Sequence, residues 1–337
     1  MALKPARLLL LLMAAAVLSG WSSCGGQSSQ PEPPGPQPPT IPTFSAQRAW
    51  ADLERQCAFG PRVPGSEAHA QCLAYLQTEL GKYADEVVAQ QFTASTAFGG
   101  PYASTNVIGH FGAQQAGERL LLCAHWDSRP RCDEDPLAAN RSKPCPGAND
   151  GASGVAVLLE VARALEQQPP PSPVIIAFWD AEDAGDSRKL PAPCYGFCLG
   201  SQYYAEKMEG ATRPDKVILL DMVGGDNRPN QRLAAREQQG NPGFDLPLER
   251  RSLEQAPQWV DEVYSTAERL GKTAFVRQPG YDVVDDHVPF LARGIPAVDL
   301  IDFDYPEWHT LDDTPEHCDS ASLQQVGEVL VALVYAQ

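Results

Sequence analysis

The sequence is poor in basic residues and histidines and has no long hydrophobic segment beyond its first twenty residues. Its 26 Lys and Arg residues stand against 43 Asp and Glu residues, which gives a formal net charge of −17. A partner made of phosphates needs a basic surface, so this balance argues against nucleic acid and anionic lipid as partners. The apolar run Leu8 to Val17 is too short to cross a bilayer, and no transmembrane span is expected.

The N-terminus has the features of a targeting segment. Lys4 and Arg7 precede the apolar run, and this pattern predicts a signal peptide over residues 1–23. Cys24 follows directly, as the lipidated cysteine of a bacterial lipoprotein does, and a lipid anchor at Cys24 is one of two alternatives. Residues 24–43 are rich in Pro, Gly and Ser and predict an extended tether. We expect an exported protein that is periplasmic, tethered to the outer membrane or secreted.

The other eight cysteines show no double Cys-x-x-Cys spacing of the kind that marks a structural zinc site. An even number of cysteines in an exported chain favours disulfides over reduced thiols. Cys132 with Cys145, and Cys194 with Cys198, are close enough in sequence to close loops. The alternative, that some are simply small buried residues, is strongest for Cys123 in its apolar run.

Beyond the tether the sequence alternates between amphipathic segments and apolar runs, without an internal repeat. Helices are predicted at about 46–57, 67–83, 151–167, 200–209, 256–271 and 319–336. Six runs predict strands, and the last four of them are apolar throughout, which is typical of a central sheet covered on both faces. The pattern predicts an α/β fold, with one doubly wound domain over 44–337 and a mostly parallel sheet flanked by helices. The predicted strands are "EVVAQQF", "TNVIGHF", "RLLLCAH", "PVIIAFWD", "KVILLD" and "IPAVDLID".

Several strands end in histidine or carboxylate side chains. Ligands of open α/β sheets bind outside the carboxyl ends of the strands, so these side chains are expected to meet in one crevice. They are His125 and Asp127 after the third predicted strand, Asp180, Glu182 and Asp183 after the fourth, Asp221 after the fifth and His309 after the sixth, with Asp150 at the start of the 151–167 helix.

Each of these residues also has a simpler interpretation when it is taken alone. Asp150 could cap a helix, Asp221 could be a structural acceptor, and His309 could be a surface imidazole. Taken together, so many carboxylates in one cleft would repel one another unless a cation offset their charge. Oxygen and nitrogen ligands in a set of three or four suit zinc, and Glu182 beside Asp183 is a candidate general acid and base.

Seven motifs, in this order and spacing, resemble those of the zinc aminopeptidase and glutaminyl cyclase superfamily. The resemblance covers essentially all of 44–337 and implies that its ligand positions are His125, Asp150, Asp183, Asp221 and His309, with Glu182 as the acid and base. The motifs are "PRVPGSEAH", "AHWDSRP", "GANDGASGV", "WDAEDAG", "LLDMVGG", "DDHVPFL" and "EWHTLDDT".

Two branches of the superfamily imply different chemistry. The aminopeptidases hold two zinc ions bridged by the equivalent of Asp150, with His125 and Asp221 as further ligands, and activate a water. The glutaminyl cyclases hold one zinc ion on the equivalents of Asp150, Asp183 and His309. In them the α-amine of an N-terminal Gln attacks its own γ-carboxamide and ammonia leaves.

Two features favour the cyclase branch. Asp285 in "VDDHVPFL" resembles the cyclase acid that hydrogen-bonds with the equivalents of Asp221 and Glu182. Trp308 resembles the cyclase tryptophan that lines the pocket and orients the glutamine, although plain packing remains its alternative. The chain departs from the animal enzymes at Asp183, where they carry Glu, and the lost methylene shortens the reach by about 1.5 Å. Bacterial-type cyclases resemble this chain there.

The sequence therefore predicts a bacterial-type, zinc-dependent glutaminyl-peptide cyclotransferase acting on peptides or proteins with N-terminal Gln. The predicted metal ligands are Asp150, Asp183 and His309, which implies one Zn²⁺ per chain. A two-zinc aminopeptidase and a catalytically silent binding domain are the alternatives. The insertion "AGDSRKLPAPCYGFCLG" is expected to overhang the cleft, His287 to be structural, and His69, His110 and His317 to lie at the surface.

Overall fold

The computed structural model describes residues 41–191, 194–228 and 243–336. The predicted signal peptide, Cys24 and the predicted tether up to residue 40 lie outside the described residues. From Ile41 onward the described chain forms one compact unit. The start of the catalytic domain at residue 44 stays a prediction.

A six-stranded sheet runs through the structure in the order β1-β2-β4-β3-β5-β8. The first two strands pair antiparallel with each other, and β2 is also antiparallel to β4, whereas β4, β3, β5 and β8 are mutually parallel. All residues of β3 and β4 are buried, as their continuous apolar sequences predict for strands covered on both faces. The strands are β1 (Glu86–Thr96), β2 (Gly99–Phe111), β3 (Leu120–His125), β4 (Val174–Trp179), β5 (Lys216–Asp221), β6 (Leu246–Leu248), β7 (Phe275–Pro279) and β8 (Ala297–Ile301).

All six predicted helices are present, with ends within three residues of the prediction, and the described part of the chain contains two shorter helices as well. Ser45 and Ser66 cap the first two helices, because each hydroxyl accepts a hydrogen bond from the backbone N–H three residues on. The helices are α1 (Ala46–Cys57), α2 (Glu67–Leu80), α3 (Ala152–Gln167), α4 (Leu199–Lys207), α5 (Arg250–Gln255), α6 (Pro257–Arg269), α7 (Val288–Leu291) and α8 (Ser320–Tyr335). The predicted α/β fold with a mostly parallel central sheet is confirmed.

The start of α3 is held close to the end of β3. Gly151 precedes the helix with φ of 107°, a conformation that favours glycine, and a Cβ there would collide with the carbonyl oxygen of Asp127. No side chain caps the helix, so the simpler interpretation of Asp150 as a helix cap is wrong. The Asp150 side chain is free to serve the site instead.

A small parallel pair, β6 with β7, lies outside the central sheet and was not predicted from the sequence. Both strands are short and each contains a proline, Pro247 or Pro279, which removes the usual strand signal. Within the described residues, no helix has the length and apolar character that crossing a membrane requires.

Candidate active site

Most of the predicted site residues meet at the carboxyl ends of the parallel strands, where they line a cavity of about 220 Å³. His125, Asp127 and Asp180 were also expected in the crevice but are not among its lining residues. This volume is below the roughly 300–1,000 Å³ of pockets that hold drug-sized ligands, and it suits a single amino-acid residue. The lining residues are Asp150, Glu182, Asp183, Tyr195, Phe197, Asp221, Asp282, Val283, Val284, Asp285, Phe303, Trp308 and His309.

Asp150, Asp183 and His309 form one compact group at this cavity. Their ligand atoms all lie within 4.8 Å of one another, and all three residues are buried. His309 Nε2 is 3.3 Å from Asp183 Oδ1 and 3.6 Å from Asp150 Oδ2. Three segments that are far apart in sequence thus supply the three predicted metal ligands to one place.

A second group shares Asp150 with the first. His125 Nε2 lies 3.2 Å from Asp150 Oδ1 and 3.2 Å from Asp221 Oδ1. Burial opposes a charge on His125, but the neighbouring carboxylates of Asp127, Asp150 and Asp221 raise its pKa well above the ordinary value. Asp150 therefore lies between two clusters of donors, as a bridging residue would.

The donors of the first group fit a zinc ion. Two carboxylates and an imidazole are oxygen and nitrogen ligands of the kind that zinc accepts, and a fourth position remains for substrate. Asp183 Oδ1 already accepts a hydrogen bond from Arg129 Nη1 at 2.9 Å, whereas Asp183 Oδ2 is buried and has no hydrogen-bond partner. An orphaned buried carboxylate oxygen next to His309 is well placed to become a metal ligand.

Asp183 is held in its charged form. Burial alone would raise the pKa of its carboxyl, but His309 and Arg129 together lower it to about 2. Arg129 also binds Asp133 through two nitrogens, which fixes the guanidinium in place. The sequence analysis missed this arginine, although it stands in the motif "AHWDSRP".

Glu182 projects into the same cavity from the segment after β4. Burial raises the pKa of its carboxyl well above the ordinary value, with Asp285 and Asp183 adding to the effect and His125 opposing it. Its backbone N–H donates to Asp127 Oδ1 at 2.9 Å, and Asp127 Oδ2 accepts from the next N–H at 3.3 Å. Asp127 thus fixes the orientation of the Glu182 and Asp183 pair.

Asp285 lies close to Glu182 with part of its carboxyl unsatisfied. Its Oδ1 accepts from the Asp286 N–H at 2.6 Å, while Oδ2 is buried with no donor directed at it. Burial and the charge of Asp221 raise the pKa of Asp285 to about 7. Asp285, Asp221 and Glu182 are therefore electrostatic neighbours, but the hydrogen bonds predicted between Asp285 and the two other acids are not formed in the described structure.

Trp308 stacks on His309 and also faces the cavity. The two ring centroids are 3.9 Å apart at 26° between planes, and the Phe303 ring lies 5.0 Å from Trp308 on another side. Trp308 therefore fixes the orientation of the His309 imidazole and at the same time offers an aromatic wall to a ligand. The packing interpretation and the ligand interpretation of Trp308 are compatible.

Strained backbone is concentrated around this cavity. Among the described residues, five other than glycine have positive φ angles, between 48° and 59°: Ala181, Tyr195, Cys198, Met222 and His309. Each is a cavity-lining residue or is next to one. Such conformations cost of order 1–3 kcal/mol each and persist only where the surroundings impose them, typically at functional sites.

A buried aspartate that the sequence analysis missed holds the Asp150 loop. Asp313 accepts from the N–H groups of Asn149 and Asp150 at 2.8 and 3.2 Å, and from Tyr305 Oη at 3.1 Å. Its only signal in the sequence is its place three residues after "HT" in "EWHTLDDT". Asp313 therefore links the loop that carries His309 to the loop that carries Asp150.

His69 corrects one prediction, because it is buried and not at the surface. Its Nε2 lies 2.8 Å from Asp180 Oδ1, and its ring stacks on Trp126 with centroids 4.3 Å apart. Asp180 also accepts from the Thr105 N–H, so this strand-end acid ties β2 and α2 together and faces away from the cavity. His110 and His317 are partly exposed.

All eight cysteines of the described residues are free thiols, so the structure does not show the predicted disulfides. In both predicted pairs, Cys132 with Cys145 and Cys194 with Cys198, the two thiols are neighbours. Cys123 is fully buried in the core, as its apolar sequence context indicates. Between Cys194 and Cys198, Tyr195 and Phe197 of the predicted overhanging insertion line the cavity.

Comparison with known proteins identifies the family and its similar members. The sequence model of peptidase family M28 matches residues 106–334. A curated relative, the glutaminyl-peptide cyclotransferase-like protein of Bos taurus, is 28% identical over 295 residues, which cover 81% of this chain and 71% of the relative.

Two solved bacterial structures resemble the chain more strongly. Tannerella forsythia glutaminyl cyclase is 36% identical, with a TM-score of 0.78, and covers 88% of this chain and 100% of its own. A Zn-dependent exopeptidase from Parabacteroides distasonis is 34% identical, with a TM-score of 0.79 and the same two coverages. The resemblance read from the seven motifs is confirmed, and the zinc-dependent family together with the candidate metal groups indicates zinc.

The segment that carries Asp285 is anchored by a buried ion pair. Glu249 Oε2 lies 3.2 Å from His287 Nε2, and Glu249 Oε1 accepts from the Val283 N–H at 3.2 Å. Burial would raise the pKa of Glu249, but His287 and the backbone donors lower it to about 2. His287 also lies 3.5 Å from Asp299, which agrees with its predicted structural role.

This pair predicts a specific loss of stability in acid. Because its folded pKa lies below the unfolded value of 4.5, Glu249 contributes stability above about pH 4.5 that is lost as the pH falls towards 2. The full effect is about 3 kcal/mol, from 1.36 kcal/mol for each pKa unit. Denaturant unfolding of metal-free protein should show a shallower pH dependence in Glu249→Gln than in the native chain, while exposed Glu118→Gln matches the native chain. Equal slopes in all three would contradict the assignment.

Proposed function

The chain belongs to peptidase family M28, and from this premise we propose that it is a glutaminyl-peptide cyclotransferase that converts N-terminal glutamine of peptides to pyroglutamate with release of ammonia. One observation carries the proposal: the cavity places Glu182 between Asp285 and the Asp150, Asp183 and His309 group, with Trp308 as a wall. The similarity to Tannerella forsythia glutaminyl cyclase and to curated cyclotransferases supports it.

Asp150, Asp183 and His309 would hold one zinc ion, and the orphaned Asp183 Oδ2 supports this choice. Zinc supplies Lewis-acid polarisation of a carbonyl when it is bound. Arg129 keeps Asp183 charged and turned towards His309, so the ligand needs no proton removed before it binds.

Glu182 would move the proton that the reaction has to transfer. The α-amine of the substrate forms a bond to the carbonyl carbon of the γ-carboxamide, the bond from that carbon to the amide nitrogen breaks, and one proton must pass from the first nitrogen to the second. A carboxyl whose pKa is raised by burial and by Asp285 can accept this proton and return it to the departing ammonia.

Asp221 and Asp285 would support that transfer, and Trp308 would position the substrate. Asp285 is buried and Asp221 half-buried. The charge of Asp221 raises the pKa of Asp285, and that of Asp285 raises the pKa of Glu182, so a proton stays within the group. The Trp308 face stacked beside His309 limits how a side chain enters the small cavity.

A two-zinc aminopeptidase is the second candidate, because His125 and Asp221 form a second group of donors with Asp150. The similarity to a Zn-dependent exopeptidase also favours it. A silent binding domain is less well supported, since Glu182 and every ligand position are filled.

An assay with two peptides separates the three functions. Purified zinc-loaded protein is incubated with a peptide that begins with Gln and with the same peptide beginning with Leu, and ammonia, free amino acids and product masses are followed. We expect ammonia and a pyroglutamyl product from the first peptide and no change in the second. Released Leu would reject the cyclase in favour of the aminopeptidase, and no product from either would indicate a binding domain.

The role of Glu182 predicts loss of turnover without loss of metal. Glu182→Gln keeps the side-chain size but removes the proton acceptor, and we expect kcat to fall by at least about 10²–10⁴. Zinc content, measured by elemental analysis, should stay at one ion per chain in both the variant and the native protein. Glu118→Gln, an exposed glutamate, is the matched control with native activity. A variant that loses zinc would show that Glu182 is a ligand instead.

We also propose export, on the basis of Lys4, Arg7 and the apolar run that follows. Intact mass spectrometry of protein from its native host should find a chain that starts at Cys24 and carries lipid if the anchor forms. A chain with an intact Met1 in the cytoplasm would overturn this proposal.

A further inference from the structure

The predicted chemistry makes no use of the two thiols beside Glu182. Cys194 and Cys198 are buried at the end of the insertion that follows β4. The Cys198 N–H donates to the Glu182 carbonyl oxygen at 2.9 Å, and the Phe197 N–H donates to the Cys194 carbonyl oxygen at 2.7 Å. A tight turn therefore holds both sulfurs against the segment that carries Glu182.

Three different donors converge at this point. Cys198 Sγ lies 3.6 Å from Glu182 Oε1, and the ligand atoms of Glu182, Cys198 and Asp285 are all within 4.8 Å of one another. The Cys194 thiol is a neighbour of the Cys198 thiol and so brings a second sulfur beside the group. All four residues are buried.

One donor in the group has no partner. Asp285 is only 3% exposed, and its buried Oδ2 accepts no hydrogen bond. An unsatisfied buried carboxylate oxygen costs free energy unless a proton or a cation balances it. One sulfur and two carboxylates that share one small volume, with a second sulfur beside them, are a candidate ligand set for a cation.

We propose that Cys194, Cys198, Glu182 and Asp285 form a second cation site, which takes a thiophilic divalent ion such as Cd²⁺ or Zn²⁺ and blocks turnover when filled. Thiolates select soft and borderline metals, whereas the Asp150, Asp183 and His309 group offers only oxygen and nitrogen. Binding releases one proton from each thiol to solvent. The expected inhibition of turnover rests on the proposed function, because the ion would bind the Glu182 carboxylate that carries the proton.

The same thiols were predicted as a loop-closing disulfide, and the two outcomes exclude each other. A disulfide has no proton to lose and is a poor ligand, so an external disulfide that oxidises the pair would remove the site. Reduced and oxidised forms of the same protein therefore serve as paired samples.

The test uses full-length, zinc-loaded protein kept reduced with a phosphine and titrated with Cd²⁺. We expect an ultraviolet thiolate-to-cadmium charge-transfer band that rises with inhibition of pyroglutamate formation. The band should be absent in Cys194→Ser/Cys198→Ser and in the oxidised protein. The Cys132→Ser/Cys145→Ser variant, which changes the other adjacent pair, should keep both band and inhibition. Circular dichroism checks that each variant is folded.

Cys194→Ser alone gives a graded result. It removes one sulfur, and we expect cadmium binding to weaken by at least about 100-fold, since even the loss of an outer partner costs about 10–100-fold in metal affinity. An unchanged band in the double variant at 194 and 198, or a band lost in the variant at 132 and 145, would overturn the proposal. The band needs no turnover, so it tests the site even if the protein makes no pyroglutamate.

Discussion

Concentrated negative charge is the constraint on which this site depends. Buried carboxylates from five segments meet at one edge of the sheet, and few cationic side chains are close enough to balance their negative charge. Such charges are tolerated only when they are paired, hydrogen-bonded or protonated. The structure uses each solution at a different place: Arg129 pairs with Asp183, backbone N–H groups satisfy Asp127 and Asp313, and burial with neighbouring charge raises the pKa of Asp285 to about 7. A bound cation is the remaining solution for the group of Asp150, Asp183 and His309.

The loops that carry the donors are fixed by residues that do not face the cavity. Asp127 accepts hydrogen bonds from the backbone N–H groups of Glu182 and Asp183. Asp313 accepts hydrogen bonds from those of Asn149 and Asp150. Arg62 is fully buried and donates to the carbonyl oxygens of Trp126 and Pro146, so it joins the same two loops from behind. These bonds are what allows strained residues such as His309 to hold positive φ angles.

The elements that could be predicted from sequence are those with a strong local pattern. The apolar runs of β3 and β4 and the periodic helices are at their predicted places. Most of the polar residues that follow the strands meet in one crevice, because parallel strands share their carboxyl edge, whereas Asp180 directly after β4 does not line it. The β6 and β7 pair, the burial of His69 and the roles of Asp313 and Arg129 were not predicted. Each depends on a partner far away in sequence, such as Asp180 for His69. The local sequence pattern around such a residue does not indicate which distant residue it will contact.

The shared position of Asp150 explains why the metal ligands alone do not define the reaction. Both groups of metal-binding side chains include Asp150, so the same cleft could hold one metal ion or two. The difference between the two reactions lies in the role of Glu182 and in the residues that surround it. A hydrolase needs this carboxylate to activate a water, whereas a cyclase needs it to carry a proton between two nitrogens of one substrate residue. Asp285 with its unsatisfied oxygen, the thiol of Cys198 and the Trp308 wall crowd the space around Glu182 and leave a cavity of only about 220 Å³. A small, proton-rich cavity of this size suits the intramolecular reaction of a single glutamine better than the hydrolysis of an extended peptide.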